Sequence, residues 1–354
     1  MRYLVIMEQG LELGIQGEEF EIRKSGAAIE RVRVADISEV LVFGAVALTP
    51  ACVSLLLARG IDTIFLTAKG MYRGRLAGPA SKNVELRLAQ FSRWQDNAAR
   101  ETMARAIVRG KIANQRNLLL RSQRELKLDR LASAVADMRR LLDSLESRTG
   151  IDTIRGVEGQ AAAAYFGALG ACIRNPAFGF TRRTRRPPRD PANAMLSFGY
   201  TILNLAMESA VARAGLDPML GSFHSPEFGR PSLSLDLIEE FRPLLVDSLV
   251  LRLINRKQVG PEDFENPLGD EEPAWFGEGP EIQTEQPHEP RPVWLAETGR
   301  RVFFREWGRR LRESVFYEPR QEVRTMEEIM RFQVYHYARI IKGEESEYRA
   351  FVPR

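Results

Sequence analysis

Short runs of β-branched and aromatic residues, set apart by glycine, fill the first eighty positions: Tyr3 to Ile6, Leu11 to Ile15, Phe20 to Ile22, Ile29 to Val34, Val40 to Phe43 and Ile61 to Leu66. With Gly10, Gly17, Gly26 and Gly60 between them, these runs predict strands joined by tight turns. One helix interrupts them. Thr49 suits its N-cap and Pro50 its first position, while Val53, Leu56 and Leu57 share a face before Gly60 ends it. Gly74 and the Gly78-Pro79 pair close the module, and Ser81 reads as the N-cap of a new period.

From Val84 to about Arg148, apolar residues recur at helical spacing: Leu86, Leu88, Phe91, Ile107, Ile112, Leu126, Leu131, Val135, Met138 and Leu142. Further helical patterns cover Gly156 to Ile173, Ala192 to Ala214, Leu233 to Arg256, Leu295 to Tyr317 and Thr325 to Lys342. The expectation is an α+β chain, with a small N-terminal β-rich domain over residues 1–80 and a larger all-α domain over 81–354. Residues 261–292 break the helical pattern with seven prolines and little apolar content, which predicts a flexible inserted loop.

Composition narrows the class. At 354 residues, 44% apolar and 28% charged, the chain is neither disordered nor collagen-like and is long enough for two domains. No window approaches the roughly 18 apolar residues of a membrane span, and Glu8 falls where a signal peptide is still apolar, so the expected location is the cytoplasm, away from membranes. Cys52 and Cys172 lie in apolar surroundings without metal-binding spacing and are read as buried, reduced thiols. The net charge of +4 hides an asymmetry: residues 261–292 hold ten acidic residues and one basic, a local −9 that leaves +13 on the rest. That balance suggests a polyanionic partner such as nucleic acid, the alternative being a merely solvated basic face.

Candidate chemistry centres on few residues. His224 lies in the loop GSFHSPEFGRPS, which runs into a helix beginning near Ser232. On that helix Asp236 and Glu239 are three apart, and Glu240 is four from Asp236, so spacing alone does not choose between the two glutamates. Glu158, in RGVEGQAAAAYF, stands among small residues at the start of a helix. One imidazole with two or three carboxylates is a donor set for Mg²⁺ or Mn²⁺ and serves displacement at phosphorus, although a lone loop histidine is ordinarily a surface residue. Arg174, Arg182, Arg183, Arg185, Arg186 and Arg189 fall within sixteen residues and suit phosphate contacts. In GKIANQRNLLLR, Lys111, Asn114 and Gln115 interrupt an apolar face and either brace helices or reach a ligand, with Lys111 counted among the candidate DNA contacts.

Taken together, VALTPACVSLLLARGIDTIFL, GKIANQRNLLLR, RGVEGQAAAAYF, RDPANAMLSFGYTILN, the HSPEFGRPSLSLDLIEEFRPLLVD block and a C-terminal tract around Gln333 and Tyr348 resemble the CRISPR-associated integrase of spacer acquisition, the most widespread Cas protein. The resemblance implies an N-terminal β domain that dimerises and a helical catalytic domain. It implies that Glu158, His224 and Glu239 ligate Mg²⁺ or Mn²⁺, with Asp236 assisting as a further catalytic residue. It also implies a homodimer bound to a small ferredoxin-like partner and to double-stranded DNA, with an exonuclease-like trimming protein fused or separate. The activity implied is metal-dependent cleavage of DNA and insertion of short segments into a repeat array. A non-catalytic DNA-binding scaffold and a general nuclease of branched DNA or RNA are the competing readings. The proline-rich 261–292 segment departs from the family pattern.

Overall fold

In a computed structural model of the chain, residues 2–78, 83–185, 187–266 and 292–353 are described. The protein is α+β: a β-rich N-terminal part precedes a larger, mostly helical part. Each of the six apolar runs of the first eighty residues is a strand: β1 (Arg2–Ile6), β2 (Leu11–Gln16), β3 (Glu19–Lys24), β4 (Ala27–Arg33), β5 (Ile37–Phe43) and, after the two-residue β6 (Ala47–Leu48) and helix α1 (Pro50–Arg59), β7 (Asp62–Leu66). Two sheets result, ordered β4-β3-β2-β6 and β1-β5-β7-β8, the last strand being β8 (Tyr72–Leu76). Gly74, expected to close the module, instead sits within β8 opposite Phe65.

Strand β5 shows why its sequence is apolar without alternation. Val40 and Val42 pack with Leu13, Phe20, Cys52 and Leu56 in a core between the two sheets. Leu41 and Phe43 point the other way, into the core of the helical part. A strand covered on both faces gains from apolar residues at every position. The β-rich and helical parts also meet through the Phe43 and Phe304 rings, 5.8 Å apart, and through Arg75 to Glu208 and Arg213 to Glu39 ion pairs at 3.0 and 2.9 Å.

Helix α1 forms as expected at its ends. Thr49 accepts from Cys52 N, and Gly60 turns left-handed at φ 63°. Its buried face differs from expectation: Cys52 and Leu56 are buried, while Leu57 is exposed. Both cysteines are buried free thiols, and burial pushes the Cys52 thiol up to about 11.

The long helical region divides at Asp96 and Leu128 into α2 (Val84–Gln95), α3 (Asn97–Leu126) and α4 (Asp129–Leu145). The cap of α2 is Asn83, and the expected Ser81 lies outside the described residues. On α2 the residues facing inward are Leu86 and Gln90, whereas Val84, Leu88 and Phe91 form an exposed apolar stripe. Next come α5 (Ile151–Leu169) and the central α6 (Pro191–Ala214), which is buried around most of its circumference. Leu233 to Arg256, expected as one helix, is instead α7 (Ser232–Ile238), a π-helical stretch (Arg242–Asp247) and α8 (Ser248–Asn255). Pro243 has no N–H for the Glu239 carbonyl, so the ladder breaks there.

A ribbon of β9 (Phe264–Glu265) and β10 (Trp294–Leu295) brackets the proline-rich segment, whose residues 267–291 lie outside the described residues together with the expectation of a flexible loop there. Helix α9 (Glu297–Arg312) stops short of Tyr317, because Ser314–Tyr317 is strand β11, paired with β12 (Glu322–Thr325). Helix α10 (Met326–Lys342) starts with a capping box between Thr325 and Glu328 and ends at Gly343. Among the described residues no helix is long and apolar enough to cross a membrane.

Candidate active site

Four elements bring the candidate residues together: α3 with Lys111, α5 with Glu158, the loop before α7 with His224, and the end of α7 with Asp236 and Glu239. Their meeting point is the Lys111 ammonium, 2.5 Å from Glu158 Oε1 and 2.8 Å from Glu239 Oε2. His224 Nε2 lies 3.9 Å from Glu239 Oε1. Arg242, one turn after Glu239, adds a guanidinium at 3.3 Å and rests on the Tyr200 ring. Burial alone would raise the Glu239 carboxyl, but the Arg242 and Lys111 cations hold it down at about 2.

Asp236 acts on the loop and not at the meeting point. Its Oδ2 accepts from Ser222 N at 2.6 Å and Phe223 N at 2.9 Å, and its Oδ1 accepts from His224 N at 2.9 Å. Oδ1 also lies 2.7 Å from His224 Nδ1. With that nitrogen donating to Asp236, Nε2 is the lone-pair atom and faces Glu239. The loop can approach so closely because residue 221 is glycine; a Cβ there would meet Asp236 Oδ2 at 2.8 Å and Ser232 backbone at 2.7 Å. From α5, Arg155 braces the same loop through Phe223 O at 2.9 Å and Ser225 Oγ at 2.7 Å.

The two neighbouring glutamates part company at the helix break. Glu239 turns to the site, and Glu240 turns to the C-terminal tail, where its carboxylate accepts from Tyr348 Oη at 2.9 Å, Gln333 Nε2 at 3.1 Å and Phe351 N at 2.5 Å. Asn114 ties the same place together, donating to both Glu240 O and Phe351 O at 2.8 Å. Burial pushes Glu240 up to about 8 against these donors. Of the polar trio in GKIANQR, Asn114 therefore braces and Lys111 reaches the site.

Lys111, 6% exposed, is thus a buried ion-pair partner and not part of a surface DNA track. A second correction concerns Arg183. Its guanidinium is spent inside, on Asn193 Oδ1 at 2.8 Å, Ser197 Oγ at 3.0 Å and the face of Tyr200, and burial lowers it to about 10. Arg182 and Arg185 are exposed, Arg189 is half-buried, Arg174 is half-exposed and pairs with Glu125, and Arg186 lies outside the described residues. Arg242 was missed in the sequence, although its place three residues after Glu239 puts it on the same helical face. Nearby, buried Asp247 accepts from Tyr165 Oη at 2.7 Å and Tyr200 Oη at 2.5 Å, anchoring the ring under Arg183 and Arg242.

Among the described residues no three His, Cys, Asp or Glu side chains form a ready-made ligand cage. The Lys111 ammonium stands between the two glutamates instead. The donors nonetheless fit a hard dication. Two carboxylates from separate elements already share one cation, and the His224 ring turns Nε2 toward Glu239.

A family model described as CRISPR associated protein Cas1 matches residues 4–272. A CRISPR-associated endonuclease Cas1 of Rhodospirillum rubrum is 38% identical over 270 residues, covering 73% of this chain and 78% of that protein. A Cas4/Cas1 exonuclease–endonuclease fusion of the same organism is 38% identical over 72% of this chain and 45% of its own length. A Cas1 endonuclease of Moorella thermoacetica is 32% identical over 99% of this chain and 98% of that protein. Among solved structures, a casposase bound to integration product shares the fold with a TM-score of 0.81 at 21% identity, covering 99% of this chain and 93% of that one. A Cas6-RT-Cas1–Cas2 complex does so at 0.75 and 21% identity, over 99% of this chain and 36% of that one.

Proposed function

The chain belongs to the Cas1 family, and from that premise we propose that it is a divalent-cation-dependent DNA endonuclease and integrase that joins short DNA segments to a repeat array. The observation that carries this reading is the convergence of Glu158, Glu239 and Nε2 of His224 around one cation-holding point. These three side chains would hold Mg²⁺ or Mn²⁺, which when bound neutralises phosphate charge and lowers the pKa of an attacking hydroxyl. Asp236 keeps the imidazole in the orientation the site requires, as a positioning residue. Arg242 keeps Glu239 ionised and adds positive charge facing an incoming phosphodiester. Exposed Arg182 and Arg185, with Arg189 and Arg174, hold DNA by its backbone and carry no sequence preference of their own.

The casposase neighbour, solved with its integration product, supports DNA joining as the reaction class. For partners we infer a homodimer, a small ferredoxin-like Cas partner and an exonuclease-like trimming protein. The complex containing Cas2 and the Cas4 fusion support such assemblies. For the β-rich part as dimerisation module, the exposed Ile29 on β4 offers an apolar contact.

The test offers purified protein, with a Cas2-type partner, a labelled duplex ending in 3′-hydroxyls and a supercoiled plasmid carrying a repeat. Covalent transfer of label to plasmid in Mg²⁺ or Mn²⁺, absent with chelator and with 3′-deoxy ends, is the expected result. Nicking without joining would reduce the function to that of a nuclease, and binding without either reaction would leave a scaffold.

A further inference from the structure

Two fixed cations stand beside the glutamates, Lys111 between Glu158 and Glu239 and Arg242 next to Glu239. With Lys111 present, a bound dication leaves the site one positive charge richer than it would be without it, an excess that one phosphodiester cancels.

The Lys111 ammonium also occupies the oxygens a metal needs, since it pairs with one oxygen of each glutamate at 2.5 and 2.8 Å. It is 6% exposed and comes from α3, a different element from either glutamate, so it does more than cover a surface. Two carboxylates from separate helices repel each other unless a cation stands between them.

We propose that Lys111 is a displaceable counter-cation: it holds Glu158 and Glu239 in register before metal binds, yields their oxygens to the metal, and then serves a non-bridging oxygen of the scissile phosphate. This rests on the metal-dependent reading above and deepens it. It makes tight metal binding contingent on DNA, because the phosphate offsets the extra positive charge that Lys111 adds beside the metal. An enzyme so built keeps its nuclease centre poorly loaded until substrate arrives.

The experiment titrates Mn²⁺ calorimetrically into wild type and Lys111→Met, each alone and with a short duplex, and measures single-turnover cleavage at saturating Mn²⁺. Wild type should bind Mn²⁺ weakly alone and more tightly with duplex. Lys111→Met should bind it at least about tenfold more tightly alone, with little further gain from DNA, as removal of one close positive charge implies. Cleavage by the variant should nonetheless fall about a hundredfold or more, the usual cost of losing one donor to transition-state charge. A brace with no counter-cation role would lower both affinity and rate when removed, so weaker or unchanged Mn²⁺ binding overturns the inference. If the variant does not fold, wild type decides: reductive methylation of Lys111, read by mass spectrometry, should speed up severalfold at saturating Mn²⁺ without DNA and slow again when duplex is added. An unchanged methylation rate overturns the inference as well. A wild type that neither binds Mn²⁺ nor cleaves would instead refute the functional reading.

Discussion

Substituting alanine at Gly110 would place a Cβ 2.2 Å from the Cβ of Ala350, at the point where the C-terminal tail lies on α3 beside Lys111. Something must move, and overpacking of this kind costs about 1–3 kcal/mol. Alanine in a helix interior returns about 0.8–1 kcal/mol over glycine, so the single variant ranges from near neutral to about 2 kcal/mol destabilised. A double-mutant cycle with Ala350→Gly isolates the contact. Removing the second methyl relieves the clash, and the coupling should be about 1–3 kcal/mol in favour of the double variant. The reporter is hydrogen exchange at the Phe351 amide, whose proton rests on Glu240 Oε2 at 2.5 Å and is released only when the tail lifts. Gly110→Ala should speed exchange there, and Ala350→Gly in that background should slow it again. Effects that add to within about 0.5 kcal/mol would mean the tail does not press on α3, and would refute its role as a brace on Glu240.

The arginine run should divide in two. Arg182→Ala with Arg185→Ala should flatten the dependence of log affinity on log salt by about 1–2 units for duplexes of any sequence, whereas Arg183→Ala should lower thermal stability and leave the slope as it was; filter binding and melting curves decide. Glu39 gives a pH signature. Burial pushes it up to about 7, with Arg213 opposing, so native protein binds a proton that unfolded protein, near 4.5, gives up. Its contribution to stability is full below about 4.5 and lost as pH rises through 7, and Glu39→Gln should flatten the decline in melting temperature between those values.

Local chemistry was legible in the sequence and tertiary chemistry was not. Thr49, Pro50 and Gly60 act within a few residues of themselves and mark α1 correctly, but which face of α1 is buried depends on a sheet the helix does not contain, and Leu57 ended outside. Strand β8 reads YRGRL and carries no apolar run; it exists because β7 offers an edge to pair with. The division of Glu239 from Glu240 needed Pro243, whose effect on the ladder is readable in principle, and the tail, whose Phe351 meets Asn114 across 237 positions and is not. Arg183 shows the same limit from the other side. Six arginines look alike in sequence, and only the place of Asn193, Ser197 and Tyr200 on α6 marks the one that is internal.

The central claim is that Glu158, His224 and Glu239 hold a divalent cation, and direct Mn²⁺ binding in the presence of duplex DNA tests it most closely. Electron paramagnetic resonance of free Mn²⁺ should report one bound ion per wild-type chain. Glu158→Gln, His224→Ala and Glu239→Gln should each lose that ion while Glu240→Gln keeps it. Binding that survives in all three variants, or is lost only in Glu240→Gln, would contradict the assignment.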